Sequence, residues 1–146
     1  MEHTTSGAAA SIHGGGLAPM LSGIVRFFDT PDGVRVDARV RGLPKNATGF
    51  YGFHLHEAGE CATPDFTSAK GHYNPGNQAH PQHAGDFPML LATDKMEAWL
   101  AFVTTRFTVR DIIGRSVVIH MDRDDYTSQP AGDAGPRIGC GVIRAF

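Results

Sequence analysis

The sequence predicts an antiparallel all-β domain, a sandwich or flattened barrel of about eight short strands, and three observations carry that prediction. Glycine supplies 18 of 146 residues, nearly twice the usual share of about 7%, and most of it interrupts short apolar runs. No segment shows a convincing apolar period of 3.6. Residues 34–41, by contrast, alternate strictly, Val34, Val36, Ala38 and Val40 against Arg35, Asp37, Arg39 and Arg41. Period two is the mark of a strand with one buried and one wet face. Strands without helices to cover them pack sheet on sheet, and a chain of 146 residues buries a real core in one domain.

In order along the chain, residues 1–16 are small and polar, contain His3 and His13, and end in Gly14-Gly15-Gly16. They read as a disordered tail with a possible first strand near 8–13, and the domain proper spans 17–146. Residues 20–28 are β-rich. Thr30-Pro31-Asp32-Gly33 is a turn, with Pro and Gly where turn geometry wants them, and it leads into the alternating strand. Gly42 to Asn46 breaks that strand, and the next begins over 50–56. Residues 57–87 have no periodic segment, and a loop of that length in a compact domain is usually functional. Strands follow at 88–93, 97–105, 115–121 and 138–145. The connection 107–114 has room for a helical turn, and 122–136, rich in Asp, Gly and Pro, forms a second long loop.

Composition excludes several functions. A net charge of −2 with no basic stripe argues against nucleic acid. No apolar run is long enough to cross a membrane. The first residues have neither a basic nor an apolar leader region, so the chain reads as cytosolic or as the mature part of an exported protein. Its two cysteines, Cys61 and Cys140, lie far apart with no Cys-x-x-Cys. An even pair in a small, turn-rich chain fits one disulfide and an oxidising compartment; two buried free thiols are the other reading.

The histidines point to chemistry. Five of eight fall between Gly52 and Asp86, in Gly-Phe-His-Leu-His-Glu (52–57), Gly-His-Tyr-Asn-Pro (71–75) and His-Pro-Gln-His-Ala-Gly-Asp (80–86), and a sixth, His120, ends the run Ser116-Val117-Val118-Ile119. Alternate side chains of a strand share a face, so Phe53 and Leu55 point inward while His54 and His56 point outward, beneath the long loop. By the same rule Val117 and Ile119 point in, and His120 points out with Val118. Neutral imidazole binds copper and zinc, and a carboxylate completes a zinc set. His54, His56, His72 and His120 form an all-nitrogen set suited to copper; His72, His80, His83 and Asp86 form a three-nitrogen, one-oxygen set suited to zinc. Seven side chains fill two four-coordinate sites only if one is shared, and an imidazole has two nitrogens to share. His72 as a bridge is the economical solution.

These motifs, together with His-Ala-Gly-Asp (83–86), Val-Val-Ile-His (117–120) and Gly-Pro-Arg-Ile-Gly-Cys-Gly-Val-Ile (135–143), resemble those of the copper–zinc superoxide dismutases over nearly all of the chain after about residue 17. The resemblance implies an eight-stranded Greek-key barrel or immunoglobulin-like sandwich with two long functional loops. It implies copper on His54, His56, His72 and His120, and zinc on His72, His80, His83 and Asp86. It also implies a Cys61–Cys140 disulfide, an anion-guiding Arg137, and Asp124 linking a copper histidine to a zinc histidine. The implied reaction is disproportionation of superoxide, with His72 carrying a proton to the second product. Only two residues separate His80 from His83, and the stretch from His56 to Cys61 is short, as in the bacterial branch. The expected protein is therefore an exported enzyme, monomer or homodimer; a catalytically silent zinc- or copper-binding member of the fold is the alternative.

Overall fold

The computed structural model describes residues 7–146, and the first six residues of the tail expected over 1–16, His3 included, lie outside the described residues. Nine strands, β1 (Gly7–Gly14), β2 (Ser22–Thr30), β3 (Gly33–Arg41), β4 (Phe50–Tyr51), β5 (Phe53–His56), β6 (Leu90–Leu91), β7 (Ala98–Thr104), β8 (Ser116–His120) and β9 (Arg137–Ala145), are joined by a single helical turn, α1 (Val109–Ile112), and a short 3-10 turn over Thr67–Ala69. Seven strands make one antiparallel sheet in the order β5-β8-β9-β1-β2-β3-β7, and β4 pairs with β6. The sheet curls around its main apolar core. Among the described residues no helix is long and apolar enough to cross a membrane.

Nine strands replace the expected eight because Gly52 divides the stretch 50–56: its N–H donates to Asp122 O and its carbonyl accepts from His120 N, each at 2.8 Å. The expected first strand is β1, and it lies between β2 and β9 in mid-sheet. Ala8, Ala10 and Ile12 from it enter the core, so the barrel begins ten residues before the boundary expected at residue 17. The alternating strand is β3, with Val34, Val36, Ala38 and Val40 buried. Pro31 and Asp32 form its two-residue hairpin turn, closed by the Thr30–Gly33 pair. The helical turn anticipated over 107–114 is α1, started by a capping box in which Thr108 and Asp111 exchange bonds.

Two features of the packing position the site. Phe87 is buried against Phe53 and Phe107, with ring centroids 5.1 and 6.1 Å away, which anchors the residue next to Asp86 in the core. On the outer face of β8 and β9 the loop after β5 builds a second small core of Phe66, Ala69, Val118 and Cys140. Outward-facing residues of β5 and β8 are therefore buried too, and a strip that alternation alone would leave wet becomes a dry chamber.

Candidate metal centre

The long loop returns to β5 twice, and both returns deliver a histidine or an acid beside a strand histidine. His72 bridges to His56, and Asp86 bridges to His54. Tyr73 N donates to Leu55 O, Leu55 N donates to Gly85 O, and Gly85 N donates to Tyr73 O, at 2.8, 2.8 and 2.9 Å. Gly85 is required by this close approach, since a Cβ there would meet the Leu55 carbonyl oxygen at 2.3 Å.

The arrangement brings the ligand atoms of His54, His56, His72 and His120 within 4.8 Å of one another, and those of His54, His72, His80 and Asp86 likewise. His83 stands at the second group, its Nδ1 at 3.1 Å from His72 Nδ1 and 3.2 Å from Asp86 Oδ2. Every residue predicted for the two sites is thus in one cluster, with His54 and His72 at the seam.

Hydrogen bonds to the far side of each ring decide which nitrogen is free. A carbonyl or carboxylate only accepts, so the ring nitrogen facing it carries the proton and the other presents a lone pair. His56 Nδ1 faces Lys70 O at 2.8 Å and His120 Nδ1 faces Gly135 O at 3.2 Å. Their Nε2 atoms then meet lone pair to lone pair at 3.4 Å, which is unfavourable unless a cation lies between them. The Nε2 atoms of His54 and His80 each lie 2.8 Å from an oxygen of the buried Asp124, leaving both Nδ1 atoms as lone pairs. Those two atoms and His72 Nε2 are buried with no hydrogen-bond partner, a costly arrangement for a protein that holds nothing there. His72 Nδ1 meanwhile faces Asp86 Oδ1 at 2.8 Å, so the two nitrogens of this ring serve opposite sides.

The spacing fits metal. Tetrahedral coordination with bonds of about 2.0–2.1 Å sets neighbouring ligand atoms about 3.3 Å apart. The His56–His120 and His72–His83 distances above match that edge, as does the 3.1 Å from His80 Nδ1 to Asp86 Oδ2.

Charge is arranged to suit. Burial, helped by the neighbouring imidazoles, holds His54 and His56 well below the ordinary histidine range, and burial also lowers His83. Burial pushes His120 down to about 4. Burial alone would raise the Asp86 carboxyl, but the hydrogen bond to His72 and the charges of His72, His80 and His83 outweigh it and hold Asp86 low. The metal-free native protein therefore binds fewer protons than the unfolded chain between the ordinary histidine value of 6.5 and about 4. Stability rises with pH in that window and is lost as pH falls through it. Urea midpoints of metal-free protein are expected to drop steadily from pH 7 to pH 4.5; a midpoint flat across that range would contradict this burial of neutral imidazoles.

Arg137 opens β9 opposite His120, where the β8–β9 register shifts between Ile119 and His120. It is half-buried and donates from Nη1 to Phe66 O at 2.8 Å. Arg137 and His120 line one open depression of about 570 Å³, with Gln129 and Asp133 on its wall. Cys61 and Cys140 form a disulfide, which fastens the loop carrying Phe66 to the strand carrying Arg137.

Some contributors were not legible in the sequence. The carbonyls of Lys70 and Gly135 fix two ring orientations, and any residue type has a carbonyl. Lys70 sits at φ 62, ψ −152, backbone space normally left to glycine, which turns that carbonyl toward His56. Gly132 was also missed: a Cβ there would meet Asp124 Oδ1 at 1.9 Å.

A curled antiparallel β-sheet that carries two adjoining clusters of candidate ligands, joined at His54 and His72, defines a class, the two-metal β-barrel proteins. The copper/zinc superoxide dismutase (SODC) family model matches residues 21–143, and the chain belongs to that family. It is 42% identical over 136 residues to copper–zinc superoxide dismutase 2 of Aquifex aeolicus, covering 84% of this chain and 78% of that one. The copper–zinc superoxide dismutase of Legionella pneumophila is 35% identical over 142 residues, covering 92% and 85%. The structure of the Cu/Zn superoxide dismutase from Brucella abortus superposes with a TM-score of 0.78 at 28% identity, covering 93% and 98%. The chain is accordingly an oxidoreductase that disproportionates superoxide, with copper and zinc as cofactors.

Proposed function

We propose that copper is held by His54 Nδ1, His56 Nε2, His72 Nε2 and His120 Nε2, and zinc by His72 Nδ1, His80 Nδ1, His83 Nδ1 and an Asp86 oxygen. His72 would be the imidazolate bridge. The observation that carries this assignment is the set of three buried, unpartnered nitrogens, His54 Nδ1, His72 Nε2 and His80 Nδ1, all aimed into the cluster. A silent zinc- or copper-binding protein is the weaker reading, because all four nitrogens for copper are in reach of one another. Elemental analysis of protein reconstituted with both metals tests the assignment: one copper and one zinc per chain are expected. One copper and no zinc, even with zinc in excess, would leave His80 and His83 as mere loop caps.

Bound copper supplies the one-electron relay that oxidises one superoxide to oxygen and reduces the next to peroxide. The chain's own residues do the rest. Two protons are consumed for each hydrogen peroxide formed. His72 Nε2, one of the four nitrogens proposed for copper, would take up one proton only while it is free of the metal and would deliver it to the product of the second step, the other proton coming from solvent. Asp124 keeps the rings of His54 and His80 fixed while this happens. Arg137, cationic at any physiological pH, has donors left over from its bond to Phe66 to attract and hold the anion over His120.

Arg137→Ala is expected to keep both metals and to lower kcat/KM by about ten-fold, within the usual reach of electrostatic steering. Raising ionic strength from 20 to 200 mM should then slow the wild type more than the variant, since screening weakens a field the variant has already lost. Equal salt dependence in the two proteins would make Arg137 an ordinary surface cation.

The disulfide and the bacterial relatives support an exported protein of bacterial type, working outside the cytoplasm. All seven ligand side chains come from one chain, so the site is complete in a monomer as in a homodimer. Sedimentation of the metal-loaded protein distinguishes the two.

A further inference from the structure

The short turn that carries His80 and His83 is gripped from outside at four backbone atoms. Gln129, in the connection between β8 and β9, accepts from His80 N at 2.9 Å and donates from Nε2 to His80 O at 2.8 Å. Arg106, just beyond β7, donates from a single Nη1 to Pro81 O at 2.9 Å and to His83 O at 3.0 Å. Three consecutive-turn carbonyls, those of residues 80, 81 and 83, are thus satisfied by two side chains from distant parts of the chain. The local bonds at the turn itself are Gln82 N to Ala79 O at 2.7 Å, Asp86 N to His83 O at 3.1 Å and His83 N to Asp86 Oδ2 at 2.9 Å.

We propose that Arg106 and Gln129 form a clamp that sets the aim of His80 and His83, and that both are positioning residues of the zinc centre. The proposal rests on the assignment of zinc to His72, His80, His83 and Asp86. Geometry is what Arg106 supplies: a guanidinium near a dication is repelled by it, so its charge alone works against binding. A tetrahedral site tolerates displacements of only a few tenths of an ångström, and a turn of four residues with few bonds of its own does not hold two imidazoles that closely. Gln129 also lines the depression shared by His120 and Arg137, so the clamp ties the zinc turn to the wall of the substrate approach. Both side chains are exposed, and removing either leaves the core intact.

The test compares wild type with Arg106→Ala, Arg106→Lys and Gln129→Ala, each loaded with copper and zinc. Zinc release to a colorimetric chelator is expected to be about ten-fold faster in Arg106→Ala and Gln129→Ala, the low end of what removing outer support costs a metal site. Arg106→Lys should recover part of the loss, because an ammonium still donates to these carbonyls. In cobalt-substituted protein the visible ligand-field bands should shift in the two alanine variants, with copper stoichiometry and the urea midpoint of metal-free protein unchanged. Wild-type release rates in Arg106→Ala, or a fall in the metal-free midpoint that accounts for the faster release, would overturn the clamp. A wild type that takes up no zinc overturns the zinc assignment and the clamp with it.

Discussion

Asp124→Asn is expected to weaken metal binding at one or both centres by about 10–100-fold, the usual consequence of removing a hydrogen-bond partner of ligating histidines. Asp124 is buried, and its two oxygens each lie 2.8 Å from a protonated Nε2, one on His54 and one on His80. Asparagine has nearly the same shape but one oxygen and one amide nitrogen. Two N–H groups would then face one acceptor and one donor, so one imidazole must rotate, change tautomer or lose its bond. Whichever ring is affected no longer aims its Nδ1 lone pair into its site. The effect should therefore appear in copper and zinc affinities measured separately, with little change in far-ultraviolet circular dichroism. Gly132→Ala is expected to act in the same direction, because its Cβ would press on the same carboxylate. Unchanged affinities for both metals in Asp124→Asn would falsify the view that this acid sets the aim of both rings.

Removal of the disulfide by Cys61→Ala with Cys140→Ala should cost the metal-free protein about 4–5 kcal/mol in the chain-entropy model. The bond closes a loop with a sequence separation of 79, long enough to constrain the unfolded chain strongly. It should cost activity as well. The loop it fastens supplies Phe66 O, on which Arg137 Nη1 is docked, and Phe66 packs with Val118 and Cys140 over the metal chamber. A loosened loop frees Arg137 and admits water to the copper side. Urea unfolding of metal-free wild type and double variant measures the first effect. Turnover of fully metallated protein and its salt dependence measure the second, which should resemble that of Arg137→Ala. A double variant with wild-type salt dependence would separate the disulfide from the placement of Arg137.

The sequence by itself determined the β class, through strict alternation in β3 and glycine-rich punctuation, and it supplied the candidate ligands proposed above. Imidazole and carboxylate are rare enough in such clusters that counting them led to the proposal of two sites sharing His72, because ligand identity is a property of side-chain chemistry and not of position. Tertiary structure alone decided which nitrogen of each ring is free, since that depends on carbonyls of Lys70 and Gly135 and on Asp124, brought close from elsewhere in the chain. It also decided that the wet face of β5 and β8 is dry, because a loop with no periodicity covers it. The place of β1 in mid-sheet was hidden for a related reason. Alanine and glycine carry too little apolar surface to signal a strand, and only the neighbouring strands β2 and β9 give Ala8 and Ala10 a core to enter. Arg106 and Gln129 were illegible in the sequence because they act through backbone carbonyls of a distant turn, and such contacts leave no mark on local pattern.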